Sequence, residues 1–222
     1  MKITVVTPSV RKDMLKIVEK CLSRQTLQDF EWLVGSPREY GYGIWVKDPP
    51  KREGDYYSLN KSWNAMFEQS QGQLIVSIVD GLWFPPDTLQ KLWDHYITNP
   101  KACIGGVGGQ YDKLENGKPE HLVWQDPRIT GKGFYEISPM DMEWCIASIP
   151  LKALREANYI DPIWDIFAAL SEKHTNMKMS KKGYQFFLDE SIEYRAIKHD
   201  RISPEWDKRY QEGCKYFQTL TF

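Results

Sequence analysis

Residues 73–92 read QLIVSIVDGLWFPPDTLQKL, and the fold turns on how this stretch divides. Leu74 to Val79 is an apolar run relieved by one serine, the pattern of a strand buried on both faces. Asp80-Gly81 breaks it and Pro85-Pro86 turns the chain. From Asp87 onward Leu89, Leu92, Trp93 and Tyr96 fall on one face of a 3.6-residue period, which predicts a helix. A lone carboxylate at the carboxyl end of a central strand is where open α/β sheets gather ligand chemistry. Capping of the turn is the plain alternative for Asp80.

Toward the N-terminus the same alternation continues. Lys2 to Thr7 is β-branched and apolar, a first buried strand. Met14, Leu15, Val18 and Leu22 share a helical face, and Phe30 to Val34 is a second strand ended by Gly35-Ser36-Pro37. A βαβ unit of this length implies a right-handed crossover in a parallel sheet. Tyr40 to Val46 predicts a short third strand, and 48–55 a polar loop. Leu59, Trp63, Met66 and Phe67 mark a helix that Gly72 separates from the opening stretch.

Toward the C-terminus the pattern loosens. Cys103 to Tyr111 is glycine-rich, either because a ligand approaches the backbone or because the strand is crowded. It lacks the strand-to-helix setting of a phosphate loop. Residues 112–138 show little periodicity and predict an irregular surface excursion. Met142 to Ile149 predicts a strand, with a helix begun at Pro150. Tyr159 to Asp165 is a loop, Phe167 to Lys182 a helix closed by Gly183, and Phe186 to Leu188 a last short strand. The tail beyond His199 carries no clear signal.

Composition narrows the classes. The 222 residues carry 29 Lys+Arg against 30 Asp+Glu, a net charge of -1, so there is no general footprint for nucleic acid or anionic membrane. No linker divides the chain, which predicts one domain over 1–222. Cys21, Cys103, Cys145 and Cys214 form no CxxC pair and are expected reduced. The short apolar run at the start and the lack of a membrane-length segment predict a cytoplasmic protein.

In order, several short motifs resemble the family-2 nucleotide-sugar glycosyltransferases of GT-A fold. Thr7-Pro8-Ser9 is similar to the loop that meets the nucleotide, and Gln25-Thr26 with Asp29-Phe30-Glu31 to the signature before the second strand. Leu59-Asn60, Gly72, Asp80, Pro86-Asp87 and Leu89 follow the family's central region. Tyr159-Ile160-Asp161 and Gly183-Tyr184 follow its later turns. The resemblance implies an α/β fold: a single, mostly parallel Rossmann-like sheet flanked by helices, with a smaller acceptor-side β region.

It also implies an inverting transfer from a nucleoside diphosphate sugar, UDP-linked by the family's habit, to an acceptor hydroxyl. The acceptor stays open among glycan, lipid-linked sugar, protein and modified nucleic acid. Thr7, Pro8, Ser9, Arg11, Ser36, Arg52, Asn60 and Asp80 are the implied nucleotide contacts. Arg11, Lys51 and Arg52 follow strands or precede a helix, where cations reach phosphates.

The departures are specific. Gly35-Ser36-Pro37 stands where the family places uracil-binding aspartates, and Asp80-Gly81-Leu82 keeps one carboxylate of its DXD motif. The family's base falls on Glu172, with Asp165 second, and its following arginine on Lys178. A Mn²⁺ or Mg²⁺ ion would be held by Asp80 and His199, and a histidine suits manganese better. Trp164, beside Asp165, offers a ring for stacking on a sugar, and Trp83 and Phe84 are candidates to line the cleft. With so few carboxylates, a degenerate domain that binds nucleotide or glycan without turnover is the alternative. A nucleotidyltransferase is disfavoured because no glycine follows the first strand.

Overall fold

The computed structural model describes residues 1–167, 170–198 and 205–220. Its first half follows the predicted alternation: β1 (Ile3–Pro8), α1 (Lys12–Leu22), β2 (Phe30–Ser36), β3 (Ile44–Lys47), α2 (Leu59–Gln69) and β4 (Leu74–Ile78). After Asp80 come β5 (Leu82–Trp83) and α3 (Thr88–Thr98). The second half holds β6 (Ala102–Glu115), β7 (Lys118–Gln125), β8 (Phe134–Glu136), β9 (Ile146–Pro150), α4 (Leu151–Glu156), a 3-10 turn (Pro162–Asp165), α5 (Ser171–Ser180), β10 (Gln185–Ile197) and α6 (Trp206–Thr219).

One sheet runs β3-β2-β1-β4-β9-β6-β10-β5, with β7 on β6 and β8 on β10. The strands β1, β2, β3 and β4 pair in parallel. β9 runs against β4 and β6, and β10 is parallel to β6, so β6 and β10 point the same way as the first four. The sheet is therefore mostly parallel, with antiparallel strands inserted at β9 and at the margins.

Side chains alternate across this sheet as a period of two demands. Ile3 and Val5 of β1 and Leu74, Val76 and Ile78 of β4 face α1 and α3, whereas Val6 and Ile75 face the cluster built around Trp63, Phe67, Trp144 and Trp164. The C-terminal α6 adds Tyr216 and Phe217 to that second cluster, where their rings meet Trp164.

Several expectations are corrected. The third strand begins at Ile44 rather than Tyr40, because Gly41 and Gly43 both take positive φ. Residues 112–138 are irregular only in part: β6 continues to Glu115 and returns as β7, and 126–133 form the loop before β8. The Asn116-Gly117 pair, at φ 52 and 79, forms the tight turn between β6 and β7. The strand placed at Met142–Ile149 starts at Ile146, and Pro150 closes it before α4 begins. The helix expected over Phe167–Lys182 spans Ser171–Ser180. The last strand is long, since its polar residues belong to an exposed face and a register shift falls between Leu188 and Glu193. Leu59 is exposed instead of joining the buried face of α2.

The glycines of β6 serve crowding. A Cβ on Gly106 would stand 2.4 Å from the Ile192 carbonyl oxygen, and one on Gly108 would stand 2.1 Å from that of Tyr194. These glycines let β10 lie close against β6, so they are packing devices rather than a ligand cradle.

Candidate active site

The carboxyl ends of β1 and β4 meet at Asp80. Its Oδ2 accepts the Ser9 hydroxyl at 2.6 Å and Nε of Arg11 at 3.1 Å, and its Oδ1 accepts Nη2 of the same guanidinium. The Ser9 hydroxyl oxygen in turn accepts the backbone N–H of Arg11 at 3.0 Å. Three residues of the sequence reading thus form one network. Gly81, at φ 77, makes the turn that follows, and its N–H is held by the Met14 carbonyl at 3.3 Å.

Glu172 is linked to this network through Cys145. The Val79 N–H donates to the Cys145 carbonyl at 3.0 Å, which ties the end of β4 to the entrance of β9. The Cys145 thiol is pushed up to about 12 by burial, with the charges of Glu143 and Glu172 adding to it. Glu172 therefore lies within electrostatic reach of the residue bonded beside Asp80. Half-buried in the first turn of α5, its own carboxyl is raised by burial and by Glu143, against the pull of its backbone N–H and the Ser171 hydroxyl at 3.1 Å. The residue before α5, Leu170, has φ 77, an uncommon backbone state for a leucine and a local strain beside this carboxylate.

Asp165 is placed differently. It is fully buried and accepts the backbone N–H groups of Asn60 at 2.8 Å and Lys61 at 3.3 Å, capping α2 from across the sequence. Burial raises its carboxyl to about 6 in spite of those bonds. The Tyr57 hydroxyl feels both acids: burial raises its pKa most, then the charges of Glu172 and Asp165. The buried Asn60 amide faces the Tyr57 hydroxyl without a well-formed hydrogen bond, and the buried Tyr56 hydroxyl makes none. Unsatisfied buried groups of this kind are rare in folded proteins and mark a place with an unmet partner.

Other sequence candidates stand apart from this group. Thr7 accepts the Trp32 indole N–H at 3.0 Å, and Pro8 lies in register with Gly35. The Ser36 hydroxyl donates to the Arg38 carbonyl at 2.7 Å. Arg52 is held by Asp55 and by the Pro162 carbonyl at 2.9 Å, and the Lys51 ammonium donates to the Tyr56 carbonyl at 2.8 Å. Lys178 donates to the Tyr159 carbonyl at 2.9 Å.

Two aromatic expectations fail. Trp164 is fully buried, bonded through its indole N–H to His174 at 2.9 Å, so its ring cannot stack on a sugar. Phe84 is core, whereas Trp83 is partly exposed beneath Lys118, 4.4 Å from its ring centre. Tyr57 and Glu143 were missed by sequence reasoning. Neither carries a motif: Tyr57 precedes α2 and Glu143 precedes β9, far in sequence from the Glu172 whose charge each one feels.

The donor set for a divalent ion is thin. Asp80 has both oxygens engaged, His199 lies outside the described residues, and among those described no group of three His, Cys, Asp or Glu could hold a metal. Of the two ligands that the resemblance implies, the described residues include Asp80 alone.

No protein-family model matches the sequence, and no curated protein does. Solved structures do. GalNAc-T7, crystallised with UDP, GalNAc and Mn²⁺, superposes with a TM-score of 0.67 at 13% identity, over 90% of this chain and 44% of that one. Residues 1–349 of S. aureus TarS, crystallised with UDP-GlcNAc, give 0.63 at 13% identity, over 90% of this chain and 60% of that one. The chain has the GT-A glycosyltransferase fold. It spans well under two thirds of these neighbours, so what they bind and do belongs to them. Among the described residues, no helix is long and apolar enough to cross a membrane.

Proposed function

We propose that the protein transfers a sugar from a nucleoside diphosphate sugar, UDP-linked in the first instance, to an acceptor hydroxyl with inversion. The observation that carries the reading is the Ser9–Arg11–Asp80 network at the joined ends of β1 and β4, the edge where an α/β sheet gathers ligands. The GT-A fold shared with proteins crystallised with UDP supports it.

In this reading residues 1–100 hold the nucleotide and 101–222 meet the acceptor. Glu172 is the base: it takes the acceptor proton as that oxygen attacks the anomeric carbon from the face opposite the diphosphate. Its raised carboxyl suits a proton acceptor working near neutrality better than an ordinary glutamate would. Asp165 holds the start of α2, and with it Asn60, whose side chain faces the Tyr57 hydroxyl. A glycan, lipid-linked sugar, protein or modified nucleic acid is the acceptor class. The metal-assisted form, with Mn²⁺ or Mg²⁺ on Asp80 and His199, has Asp80 alone among the described residues. A cytoplasmic site of action completes the proposal.

The test is a thermal-shift panel of UDP, GDP, CDP and TDP followed by hydrolysis of the matching sugar nucleotides. Binding only the folded state raises its melting temperature. A UDP shift accompanied by slow UDP-sugar hydrolysis supports the reading. Binding without turnover over a broad sugar panel would leave a nucleotide-binding domain of the same fold.

A further inference from the structure

We infer that the positive charge facing the leaving diphosphate is Arg11, and that Asp80 is a positioning residue for its guanidinium rather than a metal ligand. The inference rests on the nucleotide-sugar reading and assigns the group that stabilises the leaving diphosphate within it.

The geometry runs outward from the core. The Asp80 side chain is 6% exposed and that of Arg11 28%, so the guanidinium lies between the carboxylate and solvent. Its Nε and Nη2 fork onto both carboxylate oxygens, an arrangement that fixes the plane of the guanidinium as well as its place. Ser9 locks the network from below, donating to Asp80 at 2.6 Å and accepting the Arg11 backbone N–H at 3.0 Å. Nη1 makes no hydrogen bond to any described residue and remains a charged donor on the exposed side.

A divalent ion at Asp80 would first have to displace that fork. It would then find one carboxylate, where such ions gather several oxygen ligands. A diphosphate approaching from solvent meets Arg11, the more exposed of the pair, before it meets Asp80. As the acceptor oxygen bonds to the anomeric carbon, the bond from that carbon to the phosphate oxygen breaks. The electron pair stays on the terminal phosphate, the acceptor proton goes to Glu172, and Arg11 neutralises the charge without exchanging an atom.

Isothermal titration of UDP into the wild type, Arg11→Met, Asp80→Asn and the double variant, each in EDTA and in Mn²⁺, decides the matter. The two assignments predict opposite responses from Asp80→Asn. If Asp80 positions Arg11, wild-type affinity in EDTA stays within about threefold of that in Mn²⁺. Asp80→Asn, by freeing the guanidinium from its counter-charge, then keeps or tightens UDP binding while slowing turnover. Arg11→Met loses about tenfold or more under both conditions. The double variant, which leaves no orphaned buried carboxylate, shows the same loss should Arg11→Met fold poorly. UDP binding that requires Mn²⁺, collapses in Asp80→Asn and survives in the double variant's Arg11→Met parent overturns the inference. Absence of UDP binding in the folded wild type under every condition overturns the nucleotide reading itself, and the inference with it.

Discussion

The side-chain amide oxygen of Gln25 accepts the backbone N–H of Leu89, 64 residues away, at 2.9 Å. The nitrogen of the same amide donates to the Cys21 carbonyl at 3.1 Å and to the Pro85 carbonyl at 2.8 Å. One buried glutamine therefore ties the end of α1 to the turn that follows Asp80 and to the first turn of α3. The adjacent Thr26 N–H joins Pro86 at 2.8 Å. The Gln-Thr pair that resembles a family signature is a structural clamp on the loop behind Asp80.

Replacing Gln25 with alanine should leave the buried Leu89 N–H without a partner and the Pro85 carbonyl with only the longer bond from the Thr88 N–H at 3.4 Å. Each such group costs ~1–3 kcal/mol, so a loss of about 3 kcal/mol is expected. For a chain of this size that lowers the melting temperature by roughly 6–12 °C. Urea unfolding measures the free energy directly. A change below about 1 kcal/mol would show that the clamp is not needed.

The first hundred residues were legible because two independent periods agree there. Strands alternate between the two core clusters, helices carry one apolar face, and Asp80 ends the strand that the alternation predicts. The Arg11–Asp80 pair was not legible: its partners lie 69 residues apart and meet only because β1 and β4 are neighbours. The β6–β7 hairpin was announced by Asn116-Gly117, but its exposed Leu122, Val123 and Trp124 spoil the in-out alternation that marks an ordinary strand. Nor does sequence separate the roles of Asp165 and Glu172. Both are acids near aromatic residues, and the difference lies in which backbone N–H groups each one faces.

Crowding along β6 makes a graded prediction. Gly108→Ala would press a methyl group against the Tyr194 carbonyl oxygen, 2.1 Å away, a backbone atom that cannot turn aside. Gly105→Ala would meet first the Leu188 side chain at 3.0 Å, which can. Overpacking of this kind costs about 1–3 kcal/mol and sometimes more. Gly108→Ala should fall at or above the top of that range and Gly105→Ala near its bottom. Equal losses in chemical denaturation would contradict the packing account.

Asp165 makes the fold sensitive to pH in a stated direction. Its carboxyl is raised from 3.8 to about 6, so the folded state holds the proton more tightly than the unfolded chain. Stability from this group is fully present below the unfolded value and is lost as pH rises toward 6. The loss is about 3 kcal/mol over that window. Asp165→Asn keeps an oxygen for the Asn60 N–H but cannot ionise. The difference in stability between wild type and variant should therefore shift in favour of the variant from pH 4 to pH 7. A constant difference over that range would show that Asp165 does not titrate as its burial dictates.

Glu172 and Asp165 can be told apart by kinetics. If Glu172 takes the acceptor proton, Glu172→Gln should lower kcat by about 10²–10⁴ and leave UDP affinity unchanged, because the base acts on the acceptor rather than on the nucleotide. Its carboxyl is raised above 4.5, so the acid limb of the wild-type rate profile should lie above the ordinary glutamate range. Activity then falls as pH drops through that limb, and the residual activity of Glu172→Gln loses it. Asp165→Asn should keep the limb, since Asp165 spends its oxygens on the N-terminus of α2. The opposite pattern, with Asp165→Asn erasing the limb and Glu172→Gln turning over normally, would transfer the base to Asp165. The α2 cap would then have to open during the reaction.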